Sequence, residues 1–396
     1  MLAVTAARLF DGQRLSPLRR PAVLIDGATI LDVVERASLP EQQPVLELGD
    51  ATLLPGLVDT HTHLAFDASM DPTLALAELS DEQLGELIAG NARQALAAGI
   101  TSARDLGDRE FATLALAERA RQHPAAGPTL VCSGPPLTSP GGHCHFLGGA
   151  FAGPVELEAA VRRWAARGVN LIKVMVTGGN LTPGSDGLNV QFDAAELRAI
   201  VDTAHELGLI VTAHAHAAEG VRAAVLAGVD GLEHAKFWSA DGISPDWSVI
   251  DLILERRIAV CPTLGALPGA PPPPPAVARR SEQAAALVGE LARLGANLIA
   301  GSDAGISPAK PHDLLPYSIG EMGRCGLSNP QALHSATRAA ALACGLAAKG
   351  SLAPGFDADL IAVAGNPVAD LAALHQVSAV FRAGQQVLPE RRKALV

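Results

Sequence analysis

Short apolar runs alternate with longer helical stretches from about residue 56 to residue 345, and this alternation constrains the fold more than any other feature. It is typical of repeated βα units, because a parallel strand is buried on both faces and its crossover helix must cover the sheet. Eight apolar runs can be counted, at residues 56–64, 100–107, 129–134, 170–179, 209–216, 231–235, 259–264 and 298–305. Eight such units predict a (β/α)8 TIM barrel over residues 56–348.

The two ends of the chain have a different pattern. Residues 4–9, 21–25, 29–34 and 45–53 are short, strand-like runs separated by Asp-Gly and Pro turns. Residues 359–364 and 379–384 repeat this pattern near the other terminus. We therefore expect residues 1–55 and 349–396 to pair into one small β-sandwich domain beside the barrel.

Composition narrows the class of protein. With 48% hydrophobic and 18% charged residues, the chain has ample apolar material for a core. The net charge of -11 offers no basic surface for a phosphate backbone, so we expect a small-molecule substrate and no nucleic acid.

Cysteine usage and the N-terminus bear on the compartment. The five cysteines are odd in number and contain no Cys-x-x-Cys pair, which argues against a disulfide framework and a thiolate zinc site. The first residues lack a basic segment followed by a long apolar run, and no later run has the length of a membrane span. We therefore expect a cytoplasmic protein without a membrane partner.

Ionisable side chains stand at the carboxyl ends of several of the apolar runs, where a barrel collects its active site. These residues are His61, His63, Lys173, His214, His216, His234 and Asp303. On a strand, two residues that are two positions apart point to the same face, so His61 and His63 can reach one metal ion. Imidazole together with carboxylate suits zinc, manganese or iron better than calcium.

Several motifs taken together resemble the amidohydrolase superfamily. They are Pro-Gly-Leu-Val-Asp-Thr-His-Thr-His at residues 55–63, Lys173, His214, Glu233-His234, Gly-Ser-Asp-Ala-Gly at residues 301–305 and the closing run at residues 350–360. The resemblance covers nearly the whole chain and is strongest to the prolidase-like and imidazolonepropionase-related branch. It implies a metal-dependent hydrolase that cleaves amide-type C–N bonds, peptide bonds included, in N-acyl amino acids, dipeptides or related small amides.

The resemblance also implies a centre of two divalent ions, with zinc as the expected metal. Its ligands would be His61 and His63 for the more buried ion and His214 and His234 for the second. Lys173, carbamylated on Nζ, would bridge the two ions, because a buried ammonium repels a metal whereas a carbamate offers two anionic oxygens. Asp303 would hold the buried ion and take a proton from the hydroxide-forming water between the metals.

The fifth run leaves an alternative open. His216 and Glu219 fit the His-x-x-Glu pattern of mononuclear deaminases in the same superfamily, with glutamate as the proton shuttle. A mononuclear deaminase or a cyclic amide or imide hydrolase would use His61, His63, His216, Glu219 and Asp303. The separation between His214 and His234 matches the prolidase-like pattern, and Lys173 has no bridging role in a one-metal site. We therefore assign His214 as the ligand and His216 to the substrate side.

A glycine-bracketed loop follows the third run, at residues 139–149. In the resembling enzymes a Gly-Gly-His element places histidine beside the substrate carbonyl, so His143 is the candidate for polarising it. The chain continues with Cys144 and His145 where dipeptidases have small and acidic residues leading to an arginine, which weakens the case for a dipeptide. Further candidates for substrate binding are His145, His216, Asn180 and Tyr317.

Two further interpretations concern the neighbouring charges of Arg104 and Asp105 and the possibility that the protein is a noncatalytic scaffold. Arg104 and Asp105 follow the second run and are expected to form an internal ion pair rather than a catalytic dyad. A noncatalytic scaffold would not need ligands, yet every expected ligand position is filled. By analogy with such enzymes, a homo-oligomer is expected, although no motif specifies it.

Overall fold

The computed structural model describes residues 1–273 and 275–387. Its strands are β1 (Leu2–Thr5), β2 (Arg8–Leu9), β3 (Pro21–Asp26), β4 (Thr29–Glu35), β5 (Val45–Glu47), β6 (Ala51–Pro55), β7 (Leu57–Thr62), β8 (Ile100–Asp105), β9 (Thr129–Cys132), β10 (Leu171–Met175), β11 (Ile210–Ala217), β12 (Gly231–Ser239), β13 (Gly242–Ile243), β14 (Ala259–Cys261), β15 (Leu360–Ala364), β16 (Val377–Arg382) and β17 (Gln385–Val387). Its helices are α1 (Pro72–Glu78), α2 (Asp81–Ala97), α3 (Ala112–Gln122), α4 (Pro154–Arg167), α5 (Ala194–Glu206), α6 (Ala218–Ala227), α7 (Trp247–Glu255), α8 (Pro275–Ala278), α9 (Ser281–Arg293), α10 (Leu315–Arg324), α11 (Asn329–Ser335) and α12 (Arg338–Ala343). The chain therefore has a mixed α/β fold.

Parallel strands alternate with helices through the middle of the chain. β7, β8 and β9 form one parallel sheet. β10, β11, β12 and β14 form a second, to which β13 adds an antiparallel edge. Each of the first seven predicted runs overlaps one of these parallel strands, so the predicted βα alternation is confirmed at those positions.

The eighth predicted run is not a continuous strand. Residues 298–305 make isolated parallel bridges instead, from Leu298 to Val260 and from Ala304 to Thr62. The backbone of Asp303 has φ 59°, in the left-handed region, which is incompatible with extended structure. The prediction of a continuous strand is therefore wrong here, because this segment pairs with its neighbours through single bridges rather than through an unbroken ladder.

Backbone contacts also link the two parallel sheets. Asn170 N–H donates to Cys132 O at 2.9 Å, and Leu137 forms a parallel bridge with Val174. Together with the bridges of the eighth run, these contacts connect the eight predicted runs in the order in which they occur along the chain. They also connect the eighth run to the first. The carboxyl ends of the parallel strands consequently lie on one side.

The terminal segments pair with each other. β6 runs antiparallel to β15, in a sheet of order β17-β16-β15-β6-β2, and a second sheet has the order β4-β3-β1-β5. Apolar side chains of both sheets form one buried cluster that includes Val4, Val23, Leu53, Leu360 and Phe381. The division into domains at residues 55 and 348 stays a prediction, and residues 388–396 of it lie outside the described residues.

Helix α5 shows how local sequence produces these elements. Asp193 caps the helix, since its Oδ1 accepts the N–H groups of Ala195 and Glu196 at 2.8 and 2.9 Å. Glu196 Oε2 in turn accepts the N–H of Asp193 at 2.9 Å, which completes a capping box. Leu197 and Ile200 are among the residues of its buried face, at helical spacing. The helix leads into β11, which carries two of the histidines.

Among the described residues, no helix has both the length and the apolar character that a membrane span requires.

Candidate metal centre and active site

Three side chains converge at the carboxyl end of β7. His61 Nε2 lies 3.2 Å from His63 Nε2, and each of these atoms lies 3.4 Å from Asp303 Oδ1. All three residues are buried. Two imidazole nitrogens and a carboxylate oxygen that approach one point in this way form a donor set for a transition-metal ion. This group is the first cluster.

A buried ion pair orients His61. His61 Nδ1 and Glu233 Oε2 are 2.7 Å apart, and Glu233 Oε1 accepts from Arg104 Nη2 at 2.7 Å and from Thr212 Oγ1 at 2.5 Å. Burial raises the pKa of Glu233, but Arg104 and His61 outweigh it and hold that pKa well below its usual range. Because the ionised carboxylate only accepts, Nδ1 of His61 carries the proton and Nε2 keeps its lone pair for a metal.

The expected pairing of Arg104 with Asp105 is wrong. Arg104 reaches across to Glu233 on β12 and donates through Nε to Thr60 O at 2.7 Å. Asp105 instead accepts the backbone N–H of Leu64 at 2.7 Å. Adjacent residues on a strand point to opposite faces, so they cannot readily pair with each other.

A second cluster is formed by His214, His216 and His234, from β11 and β12. His214 Nε2 lies 3.0 Å from Gly178 O, which only accepts, so Nδ1 of His214 is left with the lone pair. His234 Nδ1 lies 2.7 Å from Thr263 Oγ1, whose hydroxyl donates to Pro262 O at 2.8 Å. Nδ1 of His234 must therefore donate, which leaves its Nε2 for a metal. Both bonds set tautomers that suit metal binding.

His216 is placed differently from its two neighbours. Its ring stacks on Trp238, with centroids 4.4 Å apart and an angle of 11° between planes. The ring centroid also lies 4.5 Å from those of His214 and His234. Its Nδ1 is buried and has no hydrogen-bond partner in the described part of the chain. His216 thus belongs to the second cluster and also packs against the ring of Trp238.

The two clusters are neighbours. The ring centroids of His61 and His234 lie 5.3 Å apart. Lys173 is buried on β10, and no partner of its Nζ is found within the described ranges. Burial lowers the pKa of Lys173 to about 8, with Glu233 opposing that shift. The charge of Lys173 in turn contributes to the lowered pKa of His61 in the first cluster and of His214 in the second.

Burial lowers the pKa of four histidines at the centre, which are His61, His143, His214 and His234. It lowers the pKa of His61 to about 4 and the pKa of His143 to about 3, with the charge of Lys173 adding to both shifts. Burial raises the pKa of Asp303, but His61 and His63 outweigh it and hold that pKa well below its usual range. At neutral pH these four imidazoles are therefore neutral and Asp303 is ionised, which are the forms that bind metals.

His143 lies beside the second cluster. Its ring centroid is 4.8 Å from that of His214, and its backbone N–H donates to Gln191 Oε1 at 2.6 Å. A Cβ at Gly179 would lie 2.5 Å from His143 Nε2, so glycine is required there for the ring to occupy this place. Nδ1 of His143 is buried and unpartnered among the described residues.

Residues that the sequence patterns did not single out support Asp303. The Asp59 carboxylate accepts from Ser302 Oγ at 2.5 Å and from the N–H groups of His61 and Ser302 at 3.1 and 3.0 Å. Lys310 Nζ donates to Ser302 O at 2.7 Å. A signal for them is present in the sequence, since Asp59 and Ser302 each lie within two residues of a candidate ligand.

The remaining candidates are more scattered. His145 and Asn180 are exposed, and His145 Nδ1 lies 2.9 Å from Gly142 O. Tyr317 packs against His375, with centroids 4.2 Å apart, next to the segment that leads into β16. This placement argues against the predicted substrate contact of Tyr317. Glu219 is exposed in the first turn of α6, which disfavours the proton shuttle of the mononuclear alternative.

The amidohydrolase family model matches residues 52–387, a span that includes both clusters. The chain belongs to the amidohydrolase family. It is therefore a hydrolase of amides, from a family that is generally metal-dependent, and its buried histidine and aspartate groups are candidates to hold the metal.

Individual proteins extend this comparison. Ochratoxinase from Aspergillus niger is 28% identical over 416 aligned positions, covering 93% of this chain and 82% of the relative. A Xaa-Pro dipeptidase solved with bound methionine is 28% identical with a TM-score of 0.87, covering 97% of this chain and 99% of that one. A prolidase complexed with N-methylphosphonate-L-proline is 27% identical with a TM-score of 0.84, covering 98% and 99%.

Proposed function

We propose that this amidohydrolase cleaves the amide C–N bond of a small N-acyl amino acid, dipeptide or related amide at a centre of two divalent metal ions. The observation that carries this proposal is the pair of buried clusters. In each, one ligand atom from every residue lies within 4.8 Å of the others. Hydrogen bonds to Glu233, Gly178 and Thr263 direct the free ring nitrogens, which a purely structural histidine group would not need.

The closed sequence of backbone pairings supports a (β/α)8 barrel as the scaffold. Barrel enzymes place their sites at the carboxyl ends of the strands, and both clusters lie at such ends. The paired terminal sheets support a small β-sandwich domain made of residues 1–55 and 349–396. The candidate ligands His61, His214 and His234 lie on strands, which are rigid elements that hold a site precisely.

The residues fit two zinc ions. His61, His63 and Asp303 would hold one ion. His214 and His234 would hold the other, and a carbamylated Lys173 would bridge them. The unpartnered, buried Nζ of Lys173 supports this assignment, because a lone ammonium there is costly and the neutral amine can add to carbon dioxide. Two bound ions would lower the pKa of a water molecule toward neutrality and polarise the substrate carbonyl.

The chain's own residues have separate tasks in this proposal. His143 is neutral at pH 7 and can donate a hydrogen bond to the carbonyl oxygen as negative charge develops on it. Asp303 accepts a proton from the attacking water and delivers it to the leaving nitrogen. Ser302 and Asp59 hold the segment that carries Asp303 in place.

The mononuclear deaminase or cyclic-imide hydrolase is the second candidate. One observation favours it, since His216 belongs to the second cluster together with His214 and His234. Two others weigh against it. Glu219 is exposed, and the one-metal alternative leaves the buried amine of Lys173 without a task.

Metal analysis together with an activity screen tests the proposal. Two ions per chain, with turnover of N-acyl amino acids or dipeptides, would support it. One ion per chain, with turnover of only lactams or cyclic imides, would favour the second candidate. No turnover in any of the four classes by the metal-loaded enzyme would contradict the proposed function and also the cyclic-imide hydrolase.

Two variants test the assigned roles. Asp303→Asn should keep metal but lose about 10²- to 10⁴-fold in kcat, the contribution of a positioned proton-transfer group. Lys173→Ala should lose metal, and added bicarbonate should speed reconstitution of the unaltered chain but not of this variant. Full activity of the first variant, or full metal loading of the second, would contradict the assignment.

The cytoplasmic location and the homo-oligomeric state of the protein stay predictions.

A further inference from the structure

A cavity of about 530 Å³ lies at the amino ends of the parallel strands. Arg257 stands two residues before β14, and Leu298 begins the eighth run. The metal centre is at the carboxyl ends of these segments, so the cavity is on the opposite side and separate from it. Its volume is that of a small-molecule site, about 300–1,000 Å³. We call it the amino-end cavity, and its lining includes Leu254, Arg257, Leu298, Leu327 and Gln331.

Arg257 occupies a backbone position that suits glycine. Its φ is 54°, its N–H donates to Leu254 O at 3.2 Å, and the next N–H, of Ile258, donates to Ile253 O at 3.0 Å. This turn ends a helix with one left-handed residue, a conformation that is unfavourable for any residue with a Cβ. The turn geometry therefore does not call for arginine. The same turn ends α4, α5, α6 and α9, where the left-handed residues are Gly168, Gly208, Gly228 and Gly295.

The charge at the cavity favours an anion. Within residues 1–273 and 275–387, the guanidinium of Arg257 has no hydrogen bond and no ion pair. None of the described residues that line the cavity is acidic, although the whole chain has 41 acidic and 30 basic residues. A cation that is kept clear of carboxylates in an acidic protein is available to an anion from solution.

Gln331 adds a second donor to the lining. Its Oε1 accepts from the N–H of Ser328 at 2.9 Å and from Ser328 Oγ at 2.7 Å, at the start of α11. Because the amide oxygen is occupied in this way, the Nε2 group is left to donate to a ligand. A guanidinium and an amide N–H match the two acceptor oxygens of a carboxylate.

The rest of the lining is apolar. Leu254, Leu298 and Leu327 border the same space, and the last two are almost completely buried. An inorganic anion would leave these side chains without a contact. A molecule that joins a carboxylate to an apolar body satisfies both parts of the lining, since most ligand sites combine apolar walls with a few polar groups.

We propose that the amino-end cavity binds an organic carboxylate with an apolar body, at a site remote from the metal centre. Arg257 supplies the charge, Gln331 supplies a hydrogen bond, and the leucines contact the apolar body. The ligand then explains why arginine stands where the turn itself suits glycine. This site goes beyond the proposed amide hydrolysis and does not rest on it.

Equilibrium dialysis of the metal-loaded enzyme with labelled hexanoate tests the proposal. The unaltered chain should bind one hexanoate more per chain than Arg257→Gly, which removes the cation and installs the residue that suits the turn. Hexanoate held at the metal centre is common to both proteins and cancels in the comparison. Hexanol keeps the apolar body and acetate keeps the charge, so each should bind the cavity at least about tenfold more weakly than hexanoate.

Further variants separate the local charge from the net charge and from folding. Arg257→Lys keeps a cation and should retain part of the affinity for hexanoate. Arg198→Met is the matched control, because Arg198 is an exposed cation on α5, and it should leave hexanoate binding unchanged. Arg257→Gly should unfold at the same or a higher urea concentration than the unaltered chain, because glycine fits a left-handed backbone without strain.

Three results would overturn the proposal. The first is equal binding of hexanoate by the unaltered chain and by Arg257→Gly, and the second is binding of hexanol as tight as that of hexanoate. The third is a lower urea midpoint for Arg257→Gly, which would show that the arginine serves the fold rather than a ligand. Failure to hydrolyse any amide would contradict the proposed function and leave this inference unaffected.

Discussion

Replacing Gly179 by alanine should displace His143 without touching any candidate metal ligand. The added Cβ would lie 2.5 Å from His143 Nε2, 2.7 Å from Cε1 and 2.9 Å from Cδ2, whereas ordinary contacts begin at about 3.4 Å. The backbone at Gly179 has no positive φ, so alanine introduces no conformational strain of its own. The ring of His143 or the loop that carries Gly179 must therefore move by about 1 Å to relieve the overlap.

The expected loss follows from the proposed role of His143. A group misplaced by about 1 Å in an active site can cost about 10²-fold in rate, and loss of one donor to a developing oxyanion costs about 10²- to 10³-fold. We expect Gly179→Ala to lower kcat by about 100-fold, or about 2.7 kcal/mol in activation free energy. Metal content should stay at the level of the unaltered chain, since His143 is not an assigned ligand.

A double-mutant cycle provides the assay. Gly179→Ala, His143→Ala and the double variant are compared in kcat for the same N-acyl amino acid, with metal content measured for each. Because both single changes remove the same interaction, the double variant should be no slower than His143→Ala. Gly85→Ala is the control, since Gly85 lies in α2 with no atom within 4 Å of an added Cβ, and it should leave kcat unchanged. Full activity of Gly179→Ala, or additive losses in the double variant, would refute the reasoning.

Two further predictions concern the support of the site. Glu233→Gln should reduce metal affinity by about 10- to 100-fold and stability by about 3–5 kcal/mol, because it weakens the hold on His61 and leaves Arg104 as an unpaired buried cation. Metal titration and urea unfolding measure the two effects, and unaltered values would contradict the role of this ion pair. His312→Gln should change how stability depends on pH. Burial lowers the pKa of His312 to about 4 from 6.5, so the unfolded chain binds its proton more readily and the unaltered protein loses stability as pH falls through that range. Between pH 7 and pH 4 the unaltered protein should lose about 3 kcal/mol more free energy of unfolding than the variant, as measured by urea unfolding. An equal response of both proteins would exclude this role of His312.

Much of the fold follows from local patterns in the chain. A parallel strand and its crossover helix each leave a local signature, so seven of the predicted apolar runs coincide with parallel strands. The eighth differs because it makes only isolated bridges to its neighbours, and such pairing depends on residues that are distant in the chain. Alternation of side chains along a strand likewise suffices to predict that His61 and His63 share one face.

The sequence by itself determined which residue types are available and on which elements they lie. Only the tertiary structure decided that Arg104 pairs with Glu233 rather than with Asp105, that Tyr317 lies against His375, and which ring nitrogens are free. It also placed Arg257 and Gln331 around one cavity. Periodicity is a property of a few neighbouring residues. Contacts between strands depend on twist, register and loop conformation, which arise from the packing of the whole chain.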